Sequence, residues 1–233
     1  MCSKQCKKLT TLVNQTIPHI IDLLAAAILV TAFLIVSSRS LSFYVRLFAF
    51  QSFMLGCVAL LVVIGYGETH ILVSAILTML VKAIGIPIVL DRLIDRIKVP
   101  KEVDFSVNTT LSLLICGFLV ILSNSVAEPI LSSKHVATTM VTKVLPVSIS
   151  IMLIGLFIMT SRKKAITQII GLLTMENGVF LSGLSITSGM PMIVELGIFF
   201  DILVAALILG VFVFRINRTF ETIDSDTLRR LKH

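Results

Sequence analysis

The sequence predicts an all-α fold, a polytopic membrane helical bundle of about seven spans. Three observations carry that reading. Of the 233 residues, 56% are hydrophobic and only 14% are charged, and the mean hydropathy is +1.03. A soluble domain of this size needs a polar shell that such a composition does not supply. The apolar residues come in runs of about 18 or more, the length that crosses ~30 Å of hydrocarbon as helix. Barrel strands would be shorter and would alternate, so helices are the expected spanning element.

Taken in order, the basic stretch 1–16 reads as an amino-terminal tail. No small-residue cleavage site follows the first apolar run, so that run is expected to be retained. The spans are then Ile17–Val36, Leu47–Tyr66, Ile71–Leu90, Thr109–Val126, Thr139–Thr160, Ala165–Ile186 and Met192–Phe214. Between the third and fourth lies DRLIDRIKVPKEVDF, Asp91 to Phe105, the longest charged connection. Its mixed signs and Pro100 predict a short surface helix followed by a turn. Pro129 is expected to end the fourth span, and Ser188–Gly189–Met190–Pro191 to form a tight turn between the last two.

The two halves look alike. FQSFMLG in the second span and MENGVFL in the sixth each place a polar pair inside an apolar helix. Each is followed by a short loop and then by a helix with a mid-span ionisable group, Lys82 or Asp201. This patterning points to a duplicated three-helix unit, as internal repeats are common in membrane proteins. The chain then divides into a tail (1–16), a first three-helix unit (17–97), a connecting segment with the fourth helix (98–137), a second three-helix unit (138–216) and a carboxyl-terminal tail (217–233).

Net charge is +7, and its location argues against a nucleic-acid partner. With seven spans, one side carries 14 Lys and Arg residues (Arg39, Arg46, Arg92, Arg96, Lys98, Lys101, Arg162, Lys163, Lys164, Arg215, Arg218, Arg229, Arg230, Lys232). The other carries five (Lys4, Lys7, Lys8, Lys134, Lys143). The positive-inside rule places the larger set in the cytoplasm. The amino terminus is therefore expected outside and the carboxyl terminus inside. Cys2, Cys6, Cys57 and Cys116 form no CxxC pair, so no metal centre, disulfide framework or cofactor is expected.

An acidic or basic side chain at the centre of a spanning helix costs about 2.5–3.5 kcal/mol on insertion scales and usually faces the bundle interior. Glu176, Lys82 and Asp201 lie near the midpoints of their spans, and Glu195 about one turn inside. The bland explanation is a fixed ion pair or a hydrogen-bonded clip between helices, which gains little over apolar packing. The alternative is a path for protons. Burial disfavours both charged forms, so such groups can exchange protons with little driving force. On the sixth helix, Gly171, Gly178 and Ser182 fall within one narrow stripe, a helix-packing surface of small residues. Glu176 falls on another face. In the third helix Pro87 removes the hydrogen bond to the carbonyl of Ala83, which predicts a kink or a polar break beside Lys82. No phosphate loop, dinucleotide fingerprint, nucleophile triad or metal-ligand cluster is present, so catalysis is expected to reside in other subunits.

The stretches GLLTMENGVFL, GMPMIVELGIFFDILVAALILGVFVFRI and ETIDSDTLRRL resemble component E of hydrogenase-4-type membrane complexes, over the whole chain. From about Met140 onward the sequence also resembles the small K-type subunit of respiratory complex I and the corresponding subunit of multisubunit cation/proton antiporters. The resemblance implies a membrane proton path that uses a glutamate in the middle helix, Glu176 here, and an acidic residue in the last helix. Asp201 fits that second position by its distance to the basic end, Glu195 by its chemistry. Lys82 lies outside the part matched to the small subunits. The expectation is a non-catalytic, multi-pass subunit of the inner (cytoplasmic) membrane, conducting protons or cations under the drive of redox chemistry in partner subunits. A subunit of an antiporter without a redox partner is the alternative, and a purely architectural anchor is a third.

Overall fold

The computed structural model describes residues 2–66, 72, 75–76, 78–97, 108–132 and 144–187. It contains α1 (Cys2–Ser37), α2 (Leu41–Tyr66), a π-helical segment (Thr78–Gly85) running directly into α3 (Ile86–Ile97), α4 (Thr109–Ser132), α5 (Leu145–Ser161) and α6 (Ala165–Thr187). Among the described residues the fold is all-helical. The stretches Thr16–Ser37, Leu41–Gly65, Thr109–Leu131 and Ala165–Ser185 are long and apolar enough to cross a membrane, and the apolar α5 is shorter. The protein is a multi-pass membrane protein. The expected seventh span, with Glu195 and Asp201, and the carboxyl-terminal tail lie outside the described residues.

Several boundaries differ from the sequence reading, three of them with a physical reason. Helix α1 continues back to Cys2, because nothing in residues 2–16 breaks it. Pro129 lies inside α4 rather than ending it; proline is tolerated in spanning helices where nearby groups satisfy the freed carbonyl. Within the charged stretch after the third span, the described residues Asp91–Ile97 form no separate helix. Asp91 and Arg92 continue α3 to Ile97, with Ile86, Leu90 and Ile94 buried along one face and Ile88 and Arg92 exposed.

Helices α5 and α6 pack against each other most extensively, and α2 touches α1, the π segment, α3 and α6. Glycine explains the closeness of the first pair. A Cβ at Gly178 would lie 2.7 Å from the Met152 backbone nitrogen, and one at Gly171 would lie 2.8 Å from that of Met159. Gly155 faces the backbone of Met175 and Gly171 in the same way. Small residues here let two backbones touch, which is how helices gain contact energy where lipid removes the hydrophobic drive. Ser182, on the expected stripe, is half-buried, and its hydroxyl donates to the Val179 carbonyl of its own helix at 2.8 Å.

The apolar core comes in two pieces. One contains Ala32, Ile35, Tyr44, Phe48, Ile86, Leu90, Ile158 and Leu173. The other contains Ile21, Ile28, Leu55, Ala59, Ile151, Phe180 and Leu184. In sequence, α1, α2, α6 and the run through the π segment into α3 pass from one cluster to the other through polar residues. In α2 those are Gln51 and Ser52; in α6 they are Thr174, Glu176 and Asn177. Thr31 of α1 and Lys82 of the π segment stand at the same passage and are also buried, and Ser150 of α5 is buried close to it. The bundle therefore has a polar layer at mid-depth between two apolar cores.

At one end of the bundle Arg162, the residue that ends α5, is 2% exposed. Its Nη2 donates to the Val36 carbonyl at 2.7 Å, one of the last-turn carbonyls of α1 that have no donor within the helix. The cation also meets the negative end of that helix. Gln168 Nε2 donates to the Arg162 carbonyl at 2.9 Å, fixing the turn. The α1–α2 and α5–α6 connections thus share one end, and Arg39 and Lys163 are exposed there. Sequence reading had grouped Arg162 with the water-facing charges of that end; the structure uses it as an internal clip.

Candidate functional site

The polar layer has a charged centre. Lys82 Nζ and Glu176 Oε1 lie 2.9 Å apart, and their side chains are 3% and 5% exposed. The sequence placed each group at the middle of its helix; the structure joins them across the interface between the π segment and α6. Local sequence accounts for the lysine's position. Pro87 cannot donate to the Ala83 carbonyl, and the helix ahead of it is widened into π geometry over Thr78–Gly85. Lys82 faces inward while Leu80 and Ile84 face outward. Pi-helical turns inside α-helices recur at functional sites, because they re-aim a side chain without ending the helix.

Beside the pair lies a neutral arm. Asn177 follows Glu176 and projects about 100° further round α6, toward α2. Its Nδ2 donates to Ser52 Oγ at 3.2 Å and to Gln51 Oε1 at 3.5 Å. Gln51 Nε2 donates to the Ile28 carbonyl of α1 at 3.3 Å, and Thr31 Oγ1 donates to that same carbonyl at 2.6 Å. The arm links α6, α2 and α1 through groups that carry no charge. The Ser123 and Ser150 hydroxyls hydrogen-bond to each other, tying α4 to α5 close to this level.

Chemically, the centre pairs an acidic with a basic side chain at 2.9 Å, beside amides and hydroxyls that do not titrate near neutral pH. Among the described residues no group of His, Cys, Asp and Glu is arranged to hold a metal ion. Of the expected site residues, Lys82 and Glu176 meet, Gly171 and Gly178 lie at the α5–α6 contact, and Glu195 and Asp201 fall outside the described residues. Gln51, Ser52 and Asn177 were not singled out as site residues. Their signal was in the sequence: adjacent polar residues deep in two apolar helices, read only as marks of an internal repeat.

Over 220 residues the chain is 31% identical to the uncharacterized protein Rv0085 of Mycobacterium tuberculosis, an alignment that covers 94% of this chain and 99% of that protein. This chain belongs to the Rv0085 family. It is also 24% identical over 215 residues to hydrogenase-4 component E of Escherichia coli K12, covering 91% of this chain and 97% of that protein. The same figures hold for hydrogenase-4 component E of Shigella flexneri. The family model for NADH-ubiquinone/plastoquinone oxidoreductase chain 4L matches residues 143–233. No solved structure matches. The resemblances seen in the sequence therefore hold, to component E over nearly the whole chain and to the complex I small subunit over the carboxyl-terminal part. Within that matched part lie α5, α6, Arg162, Glu176 and Asn177, while Lys82, Gln51 and Ser52 come from the preceding helices.

Proposed function

We propose that this chain is an integral membrane subunit of a hydrogenase-4-like, complex-I-like assembly, and that Glu176 and Lys82 form part of its proton or cation path. The observation that carries the reading is the Lys82–Glu176 pair, 2.9 Å apart and almost wholly buried, placed at mid-depth between two apolar cores. Such a pair takes up or releases a proton without moving far. Transfer from ammonium to carboxylate makes both neutral, the form a low-dielectric interior favours. A change of charge or shape in a neighbouring subunit biases that balance, which is how redox chemistry elsewhere would drive the site. Similarity to component E and to chain 4L supports placing it in such an assembly.

In this proposal the chain performs no catalysis itself. It sits in the cytoplasmic membrane with its amino terminus outside and its carboxyl terminus inside, as the Lys and Arg distribution favours. Asp201 or Glu195 supplies the next acidic step, and Gly171, Gly178 and Ser182 serve packing. The test is proton movement in vesicles containing the whole complex, normalised to assembled complex. Glu176→Gln should lower it sharply, and Glu176→Asp should keep part of it. Unchanged pumping per complex in Glu176→Gln removes Glu176 from the path. An antiporter subunit without a redox partner is the alternative; co-purification from mild detergent and identification of the partners separates the two.

A further inference from the structure

Helix α4 is the outlier in this bundle. Its span is only 22% buried, with Leu114, Phe118 and Ile121 among the most exposed apolar side chains of the molecule. That alone describes a helix facing lipid. The same outward face, however, carries Asn124, Ser125 and Glu128, all exposed and all inside the stretch Thr109–Leu131 that is long and apolar enough to cross a membrane. Residues 114, 117, 121, 124, 125 and 128 follow helical spacing and share this one side. Asn124 is next to Ser123, whose hydroxyl faces inward to Ser150, so it stands at the depth of the polar layer but points out of the bundle.

An amide in hydrocarbon needs partners for two N–H groups and a carbonyl. The bond described for Asn124 is from Nδ2 to the Val120 carbonyl of its own helix, at 3.3 Å. Lipid tails supply none of the rest. The face also has a hollow at Gly117, where an added Cβ would meet nothing within 4 Å. A notch, a mid-depth amide and an outer carboxylate on one stripe are what a second helix packs against in a membrane.

We infer that this face of α4 docks a transmembrane helix of a different subunit. That helix seats against Gly117 and presents a hydrogen-bonding side chain to Asn124 and a basic or donor group to Glu128. Charge decides between occupants. A second copy of this chain in the same membrane orientation would set Glu128 against Glu128. The chain's own expected last span would enter at that same end with Glu195. Either meeting places like charges together at the edge of the hydrocarbon, where they repel strongly. A foreign helix with a donor there is complementary. The inference does not depend on the proton-path reading, because it rests on the exposed face of a helix that supplies neither Lys82 nor Glu176.

The test uses the intact complex in native membranes. A photo-reactive benzoylphenylalanine in place of Ile121 should cross-link to another integral membrane polypeptide. Peptide sequencing should map the adduct to a hydrophobic segment containing Lys, Arg, His, Ser or Thr. An adduct with a second copy of this chain, an internal adduct to residues 192–214, or labelling of lipid alone would each overturn the inference. In parallel, Gly117→Ile and Asn124→Leu should leave the amount of chain in the membrane unchanged while co-purified partner falls about tenfold. Both substitutions fall on an exposed face, so misfolding of the chain does not confound them. Undiminished partner yield in both variants is the second result that would sink it.

Discussion

Neutralising one member of the Lys82–Glu176 pair should harm the protein more than neutralising both. At 2.9 Å and an effective dielectric of about 20, the gross attraction is roughly 6 kcal/mol. Desolvation costs several kcal/mol per ion and offsets most of it, so the pair is close to neutral against apolar packing of similar volume. Breaking it is another matter. Glu176→Gln leaves the ammonium in a site only 2% exposed, and stranding one charge of a buried pair costs about 3–5 kcal/mol. That is a large share of the 5–15 kcal/mol by which typical domains are stable. The lysine escapes the cost only by giving up its proton. The assay is a double-mutant cycle: Lys82→Met, Glu176→Gln and the combination, each scored for assembled complex and for thermal stability in detergent. Each single variant should lose assembly or stability, with much of the loss restored in the double. Pumping per assembled complex should stay low in the double, since no titratable group remains at the pair. Additive single effects would refute the coupling, and full pumping in the double would refute the relay.

Three further outcomes follow from packing and topology. Gly178→Ala should cost about 1–3 kcal/mol by overpacking, since its Cβ would lie 2.7 Å from the Met152 backbone nitrogen; Gly65→Ala, whose Cβ would lie 3.6 Å from Ile17 Cδ1, should be close to neutral, and equal yields of the two variants would contradict the α5–α6 contact. Arg162→Ala should lower stability by about 1.5–3 kcal/mol through the lost charged hydrogen bond to Val36, and an unchanged melting temperature would show that the clip contributes nothing. Cysteines replacing Ser188 and Ser225 should label from opposite sides of the membrane; labelling from one side would end the seven-span topology.

Depth was legible in the sequence, and direction was not. Hydrocarbon imposes a composition that few soluble segments share, so the long apolar stretches announce themselves. A lone Glu176 or Lys82 within one is conspicuous because it is expensive. Which side of the helix faces which neighbour is a tertiary matter. The sequence set Glu176 apart from the glycine stripe, yet it named no partner for it. Lys82 reaches Glu176 through a widened π turn, and a single proline five residues downstream does not by itself distinguish a kink from a π segment. Arg162 misled for a simpler reason. It sits beside Lys163 and Lys164 at a helix end, where charge usually meets water, and only the approach of Val36 from a helix 126 positions away in sequence draws it inside. Gln51 and Ser52 were visible as polar residues within an apolar helix. Reading them as half of a repeat hid that they contact Asn177 of the other half directly.

The mid-depth layer divides its labour by chemistry. Gln51, Ser52, Thr31 and Asn177 are neutral, and their bonds run helix to helix: α6 to α2, and α2 to α1. Such groups fix register and distance, because each broken bond leaves a buried polar atom without its partner. They do not store a charge. Lys82 and Glu176 can, and they sit on unlike elements: Glu176 on α6, held by the glycine-tight α5–α6 contact, and Lys82 outside that contact. The lysine rides on a π segment, a geometry a helix sustains only where something holds it, and α3 continues from that segment without a break. In the proposed mechanism this asymmetry matters. A change at the pair would be transmitted along α3, which carries Asp91 and Arg92 midway, while the amide arm holds α1, α2 and α6 in place. An architectural clip and a proton site differ in what such a shift does: only the second makes pumping per assembled complex fall when Glu176 loses its titratable proton.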